Sequence, residues 1–215
     1  MLIYVVRHGE TRCNVEGLLQ GWTDDPLNEN GVALAEITGK GMLGIQFDGC
    51  ISSPLLRTRQ TAEIILRESG NCDVPITFDD RIKEINMGEW ELKKFRPGER
   101  EVDEYELKMF FTDPFKFSGC PKGENIQQVC QRTQEFLKEL GKRDDEKNYL
   151  VATHGFALRG MLNFLYEDKG DYWHGHVPYN CAVNIIEAKN GEMRLVAEDK
   201  VYYDLEKAVD QYAKY

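Results

Sequence analysis

No stretch of this chain is rich in lysine and arginine, and no Cys-x-x-Cys pair occurs. None of its apolar runs approaches the roughly 18 residues that a membrane-spanning helix requires. Each absence removes a class of function. A nucleic-acid binder concentrates positive charge in a stripe, whereas here 27 basic residues face 37 acidic ones, for a net charge of −10. Neither nucleic acid nor a membrane is therefore an expected partner. The six cysteines, Cys13, Cys50, Cys72, Cys120, Cys130 and Cys181, are scattered. That spacing indicates neither a zinc site nor a disulfide framework, and they read as reduced thiols of a cytoplasmic protein. No leader is read either, because Arg7 cuts the apolar run 2–6 too soon for a signal core. Internal repeats, low-complexity tracts and Pro/Gly/Ser linkers are also missing. The 215 residues read as a single domain over 1–215, long enough to bury a full core. If the substrate of so acidic a protein is an anion, positive charge must be gathered locally.

What is present alternates apolar runs with helical periodicity, the pattern of an α/β protein. Residues 2–6 are apolar and β-branched without interruption, as expected of a central strand buried on both faces. The expectation is a three-layer αβα sandwich around a mostly parallel sheet. Asn28 predicts an N-cap for a helix running to about Met42. Residues 47–52 read as a second strand, and 55–68 as a helix with Leu55, Thr58, Ala62 and Ile65 on one face. The charged segment 93–117, interrupted by aromatics, reads as a helix. A clearer helix follows, with Ile126, Val129, Cys130, Thr133, Phe136, Leu137 and Leu140 at three- and four-residue steps and Gly141 as its stop. Residues 149–153 form another buried strand, followed by a helix over 156–165. Residues 181–188 and 193–200 flank Lys189-Asn190-Gly191-Glu192, an Asn-Gly hairpin that supplies an antiparallel edge strand. The Tyr-rich tail after Tyr203 reads as a last helix or a frayed end.

The two strongest strands end in related sequences. The first runs into Arg7-His8-Gly9-Glu10-Thr11 and the later one into Thr153-His154-Gly155. Open α/β sheets bind ligands beyond the carboxyl ends of their strands, so both histidines are expected in one pocket. A glycine after each lets backbone approach a ligand and leaves amide N–H groups to point inward. Arg7 adjoins His8. Arg57 falls where the second strand gives way to a helix, whose N-terminus favours anions. Guanidinium groups match phosphate with paired planar donors. Singly, these residues have bland readings: His-Gly as a turn, an arginine as a solvated charge. Together they suit phosphoryl transfer, which is catalysed by positioning and by stabilising charge on the transferring oxygens.

Arg7-His8-Gly9-Glu10-Thr11 followed by Asn14 resembles the signature of the histidine phosphatase superfamily, in its phosphoglycerate-mutase-like branch. Further blocks follow in the family's order. They are Gln20-Gly21-Trp22-Thr23-Asp24-Asp25-Pro26-Leu27 with Gly31; Ser53-Pro54-Leu55 with Arg57, Gln60, Thr61 and Ala62; Glu84 with Gly88 and Trp90-Glu91; Gly123-Glu124 with Val129 and Arg132; and His154-Gly155. The resemblance covers residues 1 to about 186. It implies an enzyme acting on a small phosphorylated substrate, with neither metal nor other cofactor. By that resemblance His8 is the nucleophile that forms a phosphohistidine. It must be neutral to attack, with one ring nitrogen protonated and held by a carbonyl near Gly9. Arg7, Arg57 and His154 hold the phosphoryl oxygens, and Asn14, Gln20, Gly21 and Gly155 help to bind the phosphate. Glu84 is the general acid for the leaving oxygen and then the base for water, which requires a raised pKa. Its competing reading is a surface salt bridge in the charged stretch 79–91. A lid-like insertion around 93–120 is implied, its aromatics shaping the way in for substrate.

The family supports two reactions. A phosphatase hands the phosphoryl group to water, whereas a mutase returns it to a sugar acid and excludes water. Cofactor-dependent phosphoglycerate mutases carry Glu-Arg-His-Tyr-Gly at the acidic block. Here Glu84 is followed by Ile85-Asn86-Met87-Gly88, and the insertion behind it is acidic over 98–104, which would repel a bisphosphorylated cofactor. The sequence therefore points first to a phosphatase, second to a phosphoglycerate mutase, and third to a phosphate-binding regulatory module without turnover. Leu92 stands where glycine commonly follows Trp-Glu, a departure that would alter that turn. Cys13, beside Asn14, is expected to make activity sensitive to alkylation. His174-x-His176 reads as part of a rim loop with Trp173 and Tyr179 rather than half a metal site. Glu10 either assists in the pocket or caps the following turn.

Overall fold

The computed structural model describes residues 1–143 and 146–204. At its centre lies β1 (Leu2–Arg7), whose side chains alternate between two apolar cores. Ile3 and Val5 pack with Leu137, Leu158 and Met161, while Tyr4 and Val6 pack with Ala62, Ile65 and Leu66. A strand buried on both faces has no polar side to show, hence the unbroken apolar run in the sequence. Along the chain follow α1 (Arg12–Glu16), α2 (Glu29–Gly41), β2 (Gly49–Ser52), α3 (Leu56–Glu68), β3 (Ile76–Phe78) and α4 (Glu104–Thr112). Then come α5 (Ile126–Gly141), β4 (Asn148–Thr153), α6 (Gly155–Leu162), β5 (Val183–Lys189) and β6 (Glu192–Lys200). The sheet order is β3-β2-β4-β1-β5-β6. The first four strands are parallel, and β5 and β6 form an antiparallel hairpin at one edge. Helix α3, with α2 beside it, covers one face of the sheet, and α5 with α6 covers the other. The α/β class, the three layers and the mostly parallel sheet are as the sequence predicts.

Local chemistry sets most element ends. Asn28 caps α2 by accepting from Gly31 N at 2.7 Å. Asn125 and Gln128 form a reciprocal capping box on α5, each bond 2.9 Å long. Caps of this kind contribute about 1 kcal/mol each. Asn190 and Gly191 take φ values of 54° and 78°, which the right-handed twist of the β5–β6 hairpin demands of a two-residue turn. Leu92 also takes a left-handed φ of 62°. The turn after Glu91 is held by Leu92 N donating to Leu19 O at 2.8 Å. The side chain there costs roughly 1–2 kcal/mol that a glycine would not.

Segment 93–117 departs from the expected helix. Only Glu104–Thr112 is α-helical. Pro97 and Gly98, the latter at φ 84°, keep the preceding stretch irregular, Asp103 caps the helix by accepting from Glu106 N at 3.0 Å, and Pro114 follows its end. The charge alternation here marks a solvated surface, while the aromatics serve a core. Phe95, Phe110, Phe111 and Phe117 join Trp90, Phe156, Tyr172 and Trp173 in an apolar cluster, with Phe110 stacked on Phe156 at 4.3 Å between centroids. The acidity of 98–104 is also offset. Segment 93–117 carries six acidic and six basic residues, Lys94 lies 3.3 Å from Glu99, and Arg100 pairs with Glu104. Two short elements, α1 and β3, have no counterpart in the sequence reading. The reading of the tail beyond residue 204 lies outside the described residues. Among the described residues, no helix is long and apolar enough to cross a membrane.

Candidate active site

Strands β1 and β4 are adjacent and parallel, so the residues that follow them emerge side by side. His8 and His154 stand with ring centroids 5.2 Å apart, edge to face. Both are buried. His8 Nδ1 lies 2.7 Å from Gly9 O, a pairing that requires the proton on Nδ1 and leaves the Nε2 lone pair free. Burial, then Arg57 and Arg7, hold its pKa well below the usual imidazole value, so the ring is neutral at physiological pH. His154 is depressed in the same way by burial and Arg57. Its Nε2 is engaged with Ser53 Oγ at 2.8 Å.

The first turn of α3 supplies Arg57, whose side chain is fully buried. Its Nη1 donates to Thr23 O at 2.8 Å and its Nη2 to Gly21 O at 2.7 Å. Burial pushes its pKa down to about 10, still charged at neutral pH. Arg7 Nη1 donates to Pro178 O. Glu84 approaches from the other side. Its Oε1 accepts from Ile85 N and Ala157 N, both at 3.0 Å, and its Oε2 from Phe156 N at 3.2 Å. The carboxylate thus sits on the N-terminus of α6, where orphan amides and the helix dipole favour it. Burial nevertheless dominates and raises its pKa, with these hydrogen bonds and Arg57 opposing. The surface-salt-bridge reading of Glu84 fails on that burial. A β-carbon placed on Gly155 would lie 3.6 Å from Arg7 Nε and 3.8 Å from Glu84 Oε2. Gly155 therefore marks the point where cation and carboxyl converge.

The other expected residues divide. Gln20 Oε1 accepts from Thr11 Oγ1 at 2.8 Å, and Asn14 Oδ1 from Thr11 N at 3.1 Å. Gly21 contributes its carbonyl to Arg57 rather than an amide to a ligand, because its N–H donates to Glu91 Oε2 at 3.2 Å. Gly9 is needed for a neighbouring chain segment, not for a ligand. A β-carbon there would fall 2.5 Å from Gly31 O, and one on Gly31 would fall 2.1 Å from Glu10 O. Glu10 accepts from the side-chain amides of Asn28 at 2.8 Å and Asn30 at 3.2 Å, so it ties β1 to the start of α2. Arg57 Nε, His154 Nδ1 and Gln20 Nε2 are buried without a hydrogen-bond partner among the described residues. Native proteins seldom leave such groups unpaired, and all three belong to residues expected to hold an anion.

Several contributors have no role in the sequence reading. Thr61 Oγ1 accepts from Gly9 N at 3.0 Å. Arg132 grips Glu124 through Nε at 2.8 Å and Nη2 at 2.9 Å, and the same Nη2 donates to Glu84 O at 2.9 Å, fixing the segment that carries Glu84. Ser53, Thr61, Arg132 and Glu124 all lie inside the family blocks, which is the signal that could have found them. His174 stacks on Tyr166 at 3.5 Å between centroids, while His176 faces Asp199 at 3.6 Å.

Cys13 is fully buried, donates to Asp25 Oδ2 at 3.1 Å, and has its thiol pKa pushed up to about 12 by burial and that carboxylate. A thiol held protonated near neutral pH and shielded from solvent alkylates slowly, which speaks against the expected sensitivity. Cys72 is the exposed cysteine. Iodoacetamide under native conditions is expected to label Cys72, seen by peptide mass mapping, while Cys13 stays unmodified and activity stays within about twofold.

The profile described as "Histidine phosphatase superfamily (branch 1)" matches residues 3–199. A Salmonella arizonae protein named "Probable phosphoglycerate mutase GpmB" is 33% identical over 161 residues, 75% of this chain and 73% of that protein. YhfR of Bacillus stearothermophilus superposes with a TM-score of 0.84 at 31% identity, over 93% of this chain and 97% of the other. A phosphoserine phosphatase from Entamoeba histolytica, solved in complex with 3-phosphoglyceric acid, superposes with a TM-score of 0.76 at 26% identity, over 93% and 97%.

Proposed function

The chain belongs to the histidine phosphatase superfamily, and from that premise we propose that it hydrolyses a small phosphomonoester through a phosphohistidine on His8. Nε2 of His8 attacks phosphorus while Arg7, Arg57 and His154 take up the charge that grows on the equatorial oxygens. Glu84, whose pKa burial raises, in its protonated form gives its proton to the leaving alkoxide. The resulting carboxylate then takes a proton from the water that attacks the phosphohistidine, returning His8 and releasing phosphate. Asn14, Gln20 and Gly155 assist at the phosphoryl oxygens, and 93–120, its phenylalanines packed in the core, borders the site as a fixed insertion.

The observation that favours hydrolysis over mutase chemistry is the apolar segment that follows Glu84. Ile85 and Met87, standing where mutases of this family place Arg and Tyr, are buried in the apolar cluster around Trp90. Arg96 donates to Asn14 O at 3.3 Å, and Arg132 is held by Glu124. The segment after Glu84 thus turns its side chains into the core and offers neither arginine nor tyrosine to a second anionic group on the substrate. The charge of 98–104 carries less weight, because Lys94 and Arg100 pair with Glu99 and Glu104. The mutase reading keeps second place on the similarity to the protein named GpmB.

Two assays decide. Hydrolysis of p-nitrophenyl phosphate in excess chelator is expected to proceed at the rate seen without it. With 3-phosphoglycerate and 2,3-bisphosphoglycerate supplied, phosphate release is expected to outrun formation of 2-phosphoglycerate. Isomerisation outrunning phosphate release would establish the mutase, and phosphate-ester binding without turnover would establish the regulatory module.

A further inference from the structure

Segment 176–181 crosses the carboxyl end of β1 and is fastened to it. Pro178 O accepts from Arg7, and Cys181 N donates to Arg7 O at 3.1 Å. Asn180 lies in this crossing, 7% exposed. Its side-chain amide carries two hydrogens and finds two acceptors, His8 O at 3.0 Å and Asn14 Oδ1 at 3.3 Å. The backbone carbonyl of Asn180 accepts in turn from Tyr203 Oη at 2.6 Å. Burial raises the pKa of that phenol, so it remains a protonated donor. Tyr203 follows β6, and through Asn180 the segment after β6 is wired to the nucleophile's own backbone.

Asn14 is where this matters chemically. An asparagine side chain has an accepting end and a donating end of nearly the same shape, and its neighbours decide which way it faces. Asn14 Oδ1 already takes Thr11 N at 3.1 Å. With Asn180 Nδ2 as a second donor on the same oxygen, the flipped orientation would set NH2 against two N–H donors and is excluded. The NH2 end is left clear of both donors, and on the role proposed for Asn14 it is the end offered to the phosphoryl group.

We propose that Asn180 is a positioning residue for phosphoryl transfer, holding Asn14 in its donor-outward orientation and the His8 backbone in place, with Tyr203 locking Asn180. The proposal rests on the roles assigned above to His8 and Asn14. Donors fixed before the reaction need no reorganisation as charge builds on the oxygens, and losing one such donor costs about 10²–10³-fold in favourable sites. Loss of the fixing residue alone, with the donor still present, is expected to cost less, about tenfold.

The test is a cycle of Asn180→Ala, Asn14→Ala and the double variant, with Tyr203→Phe as a milder probe. Each is measured for kcat and KM on p-nitrophenyl phosphate and for inhibition by vanadate, which mimics the five-coordinate phosphorus. Asn180→Ala is expected to lower kcat and vanadate affinity about tenfold with KM changing less than about twofold, because the effect falls on the transition state. Most of that loss is expected to vanish in the Asn14→Ala background. Tyr203→Phe should move kcat and vanadate affinity the same way by about threefold, and again only while Asn14 is present. Full additivity of Asn180→Ala with Asn14→Ala, or an unchanged kcat in Tyr203→Phe, overturns the proposal. If Asn180→Ala fails to fold, the Tyr203→Phe and Asn14→Ala cycle decides alone. A wild-type protein that neither hydrolyses the ester nor binds vanadate defeats the functional reading itself, whereas an active enzyme with additive variants defeats only this inference.

Discussion

Replacing His8 with alanine is expected to lower kcat/KM for p-nitrophenyl phosphate by on the order of 10⁴-fold or more. The two imidazoles are near neighbours, yet only one is poised to attack. His8 has its Nδ1 tied to Gly9 O, which leaves Nε2 with a free lone pair, and its depressed pKa keeps it unprotonated. His154 has Nε2 committed to Ser53 and an unpaired Nδ1, the arrangement of a group that donates to an oxygen. His154→Ala should therefore cost less, about 10²–10³-fold, and should still form the covalent intermediate. Rapid quench followed by 31P NMR under alkaline conditions, where phosphohistidine survives, separates the two. Wild type and His154→Ala should show the phosphohistidine signal and His8→Ala should not. A signal that persists in His8→Ala places the nucleophile elsewhere.

The second large effect is expected from Glu84→Gln. Glutamine keeps the shape and retains an acceptor for Ile85 N and Ala157 N, losing only the longer bond from Phe156 N at 3.2 Å, so the start of α6 should largely hold. What it cannot do is release a proton. For an alkyl phosphate, whose leaving oxygen needs protonation, kcat should fall about 10²–10⁴-fold. For p-nitrophenyl phosphate, whose leaving group departs as the anion, the first step should be much less affected and the phosphoenzyme should accumulate. The pH profile checks the same point. Activity requires neutral His8 and protonated Glu84. The pKa of His8 is lowered, so the acid limb should lie below the ordinary imidazole value. That of Glu84 is raised, so the basic limb should lie above the ordinary carboxyl value. With glutamine the basic limb should disappear for the alkyl ester, since no proton remains to be lost. A basic limb that survives the substitution unchanged assigns it to some other group.

The parts of this site that were legible in the sequence share a physical cause. Arg7 closes, and His8, His154 and Gly155 follow, strands so apolar that their ends are unmistakable, and Arg57 opens a helix with a clear apolar face. Residues whose work is done by distant partners were not legible. Cys13 stands beside Asn14 in sequence and reads as reactive, but burial and the hydrogen bond to Asp25 raise its thiol pKa. The 93–117 segment had the charges of a helix, yet Pro97, Gly98 and Pro114 confine the helix to its middle, and its phenylalanines are spent on the cluster around Trp90. Asn180 carries no local signal, since its meaning comes from His8, Asn14 and Tyr203, none of them near it in sequence except through the sheet. Gly9 was legible as a required glycine but for the wrong neighbour, because only the fold brings Gly31 against it.

Glu84 is pinned to the first turn of α6, directly beside the His154 cap. A carboxyl anchored to a helix has no second position to visit. The departing alcohol and the incoming water must accordingly occupy the same small volume, one after the other, and the alcohol has to clear it before water can arrive. On this reading an alcohol supplied in excess joins the queue for that volume, and some of the phosphoryl group should leave on it instead of on water.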